Sequence, residues 1–397
     1  MKKLEPLVIV IIATLSGGVV ASNNTTLVDQ QGMGNTANAN QVDPTAINNL
    51  IDVTQIGDGN FSSSTQSGDA VSNTMIHNQE GVGNMAESFQ QFFTEVSSME
   101  INQAGDANDV AAEQFESLGS TQELNQSGQM NFMAITQTDT EASSIAVTQT
   151  GDMNDAIIMG QVFDILGSSI TLNQIGDDNM AQIGQQSVVE LSSIGVDQVG
   201  DQNLFVSEQI MGVFSSTINV LQSGNMNEVD SDQENGVTAS TVSITQVGDG
   251  NFGGSLQEDT VNGSTVNVSQ VGDGNLGGGV QLVAVDSSVG SVSQSGTMNM
   301  GVTQQAGGTS FAVATLTQLG ESNEAMLMQI TATSVTANSL QNGISNMLSI
   351  SQMSNALSNA TTTQVGDMNQ HLTEQTLDAQ TAIATQNGTL NIGTILQ

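Results

Sequence analysis

Sixteen times along this chain a Gln is followed two residues later by Gly and five residues later by Asn, at steps of 22 to 25 residues. The first Gln of each copy is Gln30, Gln55, Gln79, Gln103, Gln126, Gln149, Gln174, Gln198, Gln222, Gln246, Gln270, Gln294, Gln318, Gln341, Gln364 and Gln386. The matching Asn residues are Asn35, Asn60, Asn84, Asn108, Asn131, Asn154, Asn179, Asn203, Asn227, Asn251, Asn275, Asn299, Asn323, Asn346, Asn369 and Asn391. A repeat of this period overrides any division of a 397-residue chain into ordinary globular domains. Each copy is one structural unit that cannot bury its own apolar face, so neighbouring copies must stack.

The arms of each copy alternate with period two. In Ser240–Gln246 the residues Ser240, Val242, Ile244 and Gln246 share one face, and Thr241, Ser243 and Thr245 share the other. That spacing predicts a strand with one buried face. The position two before the first Gln is Val, Ile or Leu in twelve of the sixteen copies. Positions two and four after the Asn hold no Asp or Glu in any copy, although the chain has 40 carboxylates. That absence marks the buried face of the second arm. Between Gln and Asn lie four residues with Gly second, which predicts a turn that needs a backbone conformation other residues resist. Fifteen copies carry a second Gln six residues after the Asn; in the sixth, Gly160 stands there and Gln161 follows one place later.

Strand, turn, strand in every copy predicts an all-β fold, a cross-β solenoid of about sixteen stacked repeats over 22–397. Stacking would set Gln on Gln and Asn on Asn at about 4.8 Å, giving a rod of roughly 75–80 Å. Buried amides are costly unless paired, and a column of identical amides gives each a partner above and below. Pro44 falls between the first two copies, where a missing N–H does no harm.

Residues 1–21 read differently. Lys2 and Lys3 precede the apolar run Leu7–Leu15, and Val19-Val20-Ala21 ends it. This is the pattern of a secretory signal peptide. The run is too short for a bilayer, which needs about 20 residues, and no membrane span is expected. Without Glu5 the remaining chain keeps 39 of its 40 carboxylates and has no Lys or Arg. A chain so charged is a poor partner for nucleic acid or anionic lipid. It has no Cys, so no disulfide supports it.

Eight copies have Asp after the turn Gly: Asp58, Asp106, Asp152, Asp177, Asp201, Asp249, Asp273 and Asp367. Two readings stand. One is a solvated turn whose charge restrains premature association. The other is a low-affinity Ca²⁺ edge along Asp152, Asp177, Asp201, Asp249 and Asp273, where carboxylates of neighbouring layers share an ion. His77 and His371 fall at inward positions of distant copies and read as tolerated core residues. No Cys, and no recurring Ser, His and Asp set, supports catalysis; no enzyme activity and no cofactor are expected.

Ser stands six residues before the first Gln in ten copies, among them Ser97, Ser216, Ser240 and Ser264. The phrase Ser-x5-Gln-x4-Asn-x5-Gln, complete at Ser240/Gln246/Asn251/Gln257 and Ser264/Gln270/Asn275/Gln281, resembles the curlin repeat, and the chain resembles a major curlin subunit over 22–397. The resemblance implies a secreted protein that assembles with itself into extracellular amyloid fibres on the cell surface. It also implies a minor curlin nucleator and an outer-membrane secretion channel as partners. The chain departs from the pattern at Asn24, Asn49, Asn73, Ala312, Val335 and Gln380, which replace Ser, and the late copies are expected to stack less well. The first copy begins beside the expected cleavage site and the last ends on Gln397, leaving no residues for caps, so both ends are expected to template further copies. The runner-up is a monomeric secreted binding solenoid, an adhesin or ice-binding protein.

Overall fold

The computed structural model describes residues 23–41 and 45–397. The expected signal peptide and Pro44 therefore lie outside the described residues. The chain forms two compact units, Met1–Val188 and Val189–Gln397. Each is a parallel β-solenoid built from two sheets, and there is no helix among the described residues.

In the first unit, the strands that carry the first Gln run from Thr25–Gln31 and Leu50–Asp58 through to Ser169–Ile175, each parallel to the next. The strands after the turn run from Thr36–Gln41 to Met180–Gln186 in a second parallel sheet. The second unit repeats the plan, from Ser193–Val199 to Thr381–Asn387 in one sheet and from Leu204–Ile210 to Ile392–Leu396 in the other. Register is in phase, with Gln246 opposite Gln270 and Gln257 opposite Gln281.

The predicted faces hold. In Thr241–Val247, Val242, Ile244 and Gln246 are buried and the intervening residues are not. The interior is so narrow that bulk on one sheet is matched by its absence on the other. A Cβ on Gly253 would come within 2.9 Å of Ile244 Cγ2, and one on Gly279 would overlap Val266. Cores reach this density only when opposed volumes compensate.

The extra residue of the sixth copy is absorbed by a bulge. The pairing of Phe132–Glu141 with Asp155–Leu166 slips after Ile135/Ile158, so Gln137 meets Gln161. Gly160 there has φ of 81°, which glycine tolerates. The late copies, expected to stack less well, keep coil-to-coil backbone bonds of ordinary length: Val289 N–H to Ala312 at 2.8 Å and Val313 N–H to Val335 at 2.9 Å. Ala312, Ala332 and Val335 form a small apolar cluster in place of the hydroxyl link.

Candidate functional site: the stacked columns and the coil edge

Amide columns run through each unit. From Gln30 to Gln149 in the first unit and from Gln198 to Gln364 in the second, each first Gln donates its Nε2–H to Oε1 of the Gln one coil on, as from Gln55 to Gln79 at 2.8 Å and from Gln246 to Gln270 at 2.9 Å. The second Gln does the same, as from Gln66 to Gln90 at 2.8 Å and Gln257 to Gln281 at 2.7 Å. A second proton on Nε2 goes to a backbone carbonyl of the facing sheet, as from Gln246 to Glu228 at 3.0 Å. The bulged Gln161 stays in its column, accepting from Gln137 at 2.7 Å and donating to Gln185 at 2.9 Å.

The Asn column is wired differently. Asn251 Oδ1 accepts the backbone N–H of Asn275 at 3.0 Å and its side-chain N–H at 3.0 Å. Asn251 Nδ2–H in turn donates to the carbonyl of Gly272 at 2.7 Å. That carbonyl explains the turn glycine. Gly248 has φ of 117°, and a Cβ on it would overlap the Gly272 oxygen. The glycine is demanded both by conformation and by the close approach of the next coil.

The Ser positions form a third link. Ser216 Oγ accepts the N–H of Ser240 at 3.2 Å and donates to the Phe214 carbonyl at 3.0 Å. The Asn replacements perform the same task, since Asn24, Asn49 and Asn73 each accept the N–H one coil on, at 2.9, 2.8 and 2.9 Å.

The turn carboxylates have a role that needs the register to be seen. Asp152 Oδ1 accepts the N–H of Gln129 at 2.8 Å, and Asp177 Oδ1 that of Asp152 at 2.9 Å. Asp249 and Asp273 accept from Asn225 and Asp249 at 2.8 and 3.0 Å. Asp201 instead gives its own N–H to Asn225 Oδ1 at 2.9 Å. The carboxylates of Asp152, Asp177, Asp249 and Asp273 thus tie their turns to the preceding coil on a solvent-facing edge. Among the described residues no three His, Cys, Asp or Glu side chains converge as metal ligands.

One buried column was not read from the sequence. Three residues before most of the Ser positions, the linking arc turns inward a small or apolar side chain, among them Ala46, Ala70, Val237, Val261 and Val285. The signal was present, since Val189, Val213, Val237, Val261 and Val285 recur at 24-residue steps.

The interior also holds titratable groups. His77 is fully buried, with Nδ1 2.7 Å from Ser62 Oγ and Nε2 2.7 Å from Ser88 Oγ. Burial pushes its imidazole down to about 3. His371, buried beside Thr373 at 2.8 Å, is also lowered by burial. Asp232 lies half-buried on the outer side of Glu228–Glu234. Desolvation raises it to about 7 against the N–H of Glu208 that it accepts, with Asp230, Glu234 and Glu208 adding repulsion.

The outermost described strands are paired on one side. Thr381–Asn387 and Ile392–Leu396 each pair on one side, with Asn359–Val365 and Gln370–Gln375, and no described strand covers the other side. Ile383 is 70 % exposed and Ile392 80 %. Thr25–Gln31 likewise pairs only with Leu50–Asp58 among the described residues. A scan against models of known protein families finds no match, and a search of curated proteins finds none either.

Proposed function

We propose that the chain is an exported structural subunit that adds to copies of itself at its coil edges, building an extracellular fibre of the curlin kind for surface adhesion and biofilm matrix. One observation carries this reading: the Gln and Asn columns repeat in register from coil to coil, and the strands Thr381–Asn387 and Ile392–Leu396 keep that ladder pattern. An uncovered parallel edge is a template for another strand, and this one bears the amides Gln386 and Asn391 in the columns that join the coils of the second unit. A second copy offers the same columns in the same phase. By resemblance, a minor curlin would seed growth and an outer-membrane channel would pass the chain.

The test is the purified chain from residue 22 at micromolar concentration, followed for days by electron microscopy and amyloid-dye fluorescence. Seedable fibres are expected; a lasting monomer would defeat the proposal. A second reading, the monomeric binding solenoid, is favoured by one face of the second unit. Three outward columns, over the strands from Thr217–Ser223 to Asn359–Val365, hold Thr, Ser, Asn and a few aliphatics and no carboxylate. It requires a soluble monomer that binds ice or a surface through this face.

A further inference from the structure

The other sheet of the second unit has an outer face of opposite character. Its strands Leu276–Leu282, Met300–Ala306, Glu324–Ile330, Met347–Met353 and Gln370–Gln375 are consecutive and parallel. Gly, Ala, Leu and Gln side chains at their alternate positions are buried, so the remaining positions face outward. There Leu276, Met300, Val302, Met326, Met328 and Met347 make a mainly apolar surface, interrupted by Glu324, Gln304 and Ser349, with Met300, Met326 and Met347 45 to 48 % exposed. The face is bounded. Two strands before Leu276–Leu282, all four outward side chains of Glu228–Glu234 are acidic: Glu228, Asp230, Asp232 and Glu234. Glu374 stands at its margin, and Glu324 lies in register between Met300 and Met347.

We propose that this methionine-rich face is a lateral self-association surface, on which a second copy of the chain packs sheet against sheet. Five strands at about 4.8 Å and seven residues at about 3.3 Å give roughly 550 Å² per copy. The total of about 1,100 Å² clears the threshold of about 1,000 Å² for a specific interface. A second copy is the occupant of choice for two reasons. Unbranched thioethers adapt to one another across a sheet spacing of about 10 Å. A chain with no Lys or Arg after Lys3 is repelled by an anionic bilayer. A two-fold axis lying in the interface between Glu324–Ile330 and Met347–Met353 sets those two strands against each other, with Glu324 opposite the partner's Met347 and not its own copy, and sets Met300–Ala306 against Gln370–Gln375. The carboxylates of Glu228–Glu234 then fall beyond the partner's last strand, Ile392–Leu396, where they oppose no like charge.

This contact is distinct from growth at the coil edge, and the test separates the two. Wild-type chain and the outward double variant Val302→Lys/Met326→Lys are compared by sedimentation velocity for soluble species and by electron microscopy for fibre width. A charge-matched control, Thr315→Lys/Thr317→Lys, lies on the opposite sheet. Far-UV circular dichroism checks that all three keep their strands. The expected result is pairing or lateral bundling in wild type and control, strengthened at 0.5 M salt as repulsion is screened, and at least tenfold weaker in Val302→Lys/Met326→Lys. Soluble pairs without fibres would support this surface while sinking the fibre reading. Single unpaired filaments, equal pairing in both double variants, or wild type binding phosphatidylcholine vesicles in place of pairing would overturn it.

Discussion

Gly388 separates folding from assembly in a single substitution. Inside the second unit, a Cβ on Gly248 would overlap the carbonyl oxygen of Gly272 on the next coil, whereas on Gly388 it would meet nothing nearer than Asn391 Nδ2 at 3.6 Å. Both have φ of 117°, so alanine carries similar backbone strain at either site, of order 1–3 kcal/mol. The difference lies in the stacked coil. At Gly248 the clash also breaks the Asn251–Gly272 bond of 2.7 Å and the Gly272–Val247 backbone bond of 2.8 Å. At Gly388 the equivalent bonds exist only once another copy has docked. Two hydrogen bonds at about 0.5–1.5 kcal/mol each give roughly 1–3 kcal/mol per junction. That is about 5- to 150-fold in critical concentration, since 1.4 kcal/mol is tenfold. Gly388→Ala is therefore expected to keep strand content and to lose in urea resistance only the strain of about 1–3 kcal/mol, while raising the monomer concentration left at the end of seeded growth by that factor. Gly248→Ala should lower urea resistance directly. Unchanged critical concentration in folded Gly388→Ala would refute the claim that growth reuses the intramolecular stacking.

Gln246→Leu leaves Gln222 Nε2 and Gln270 Oε1 without their partner in the column and should cost about 1–3 kcal/mol in urea unfolding, while Thr245→Leu on the outer face stays within about 0.5 kcal/mol. His77 and Asp232 give stability opposite slopes with pH. His77 is lowered from 6.5 to about 3, so its contribution is complete above pH 6.5 and is lost as pH falls towards 3, at up to about 1.4 kcal/mol per unit; His77→Val should flatten that limb of a pH–stability curve. Asp232 is raised from 3.8 to about 7, so its contribution is complete below pH 3.8 and is lost as pH rises through 7; Asp232→Asn should stabilise at pH 8, by about 1 kcal/mol once solvent screening is allowed for, and the gain should vanish near pH 4. Deleting Gly160 should remove the bulge and leave Gln161 in its column, with thermal stability unchanged or raised by a few degrees; a loss of several kcal/mol would show that the bulge is needed.

Much of the fold was legible because strict chemistry repeats in strict phase. Gln246, Asn251 and Gln257 recur where identical polar groups must meet to be satisfied, and Val242 and Ile244 alternate with Thr and Ser at the period of a strand. The linking arcs resisted the same reading. Asp259 and Thr260 adopt left-handed φ of 60° and 71°, which breaks the two-residue alternation just before the buried Val261. The turn carboxylates were legible as a column but not as acceptors, because the N–H that Asp273 takes belongs to a residue 24 positions earlier. What takes the place of the serine link at the Ser replacements was not legible. Asn49 mimics the serine acceptor one bond further out, and Val335 substitutes apolar packing for a hydroxyl link.

Solid-state NMR on fibres grown from a mixture of ¹³C-labelled and ¹⁵N-labelled chains probes the junction itself. Continuation of the columns from copy to copy requires intermolecular contacts between the side chains of Gln386 and Gln30, with amide geometry like that of Gln246 and Gln270. Fibres lacking that cross-peak, or a chain that forms none at all, would contradict end-to-end stacking.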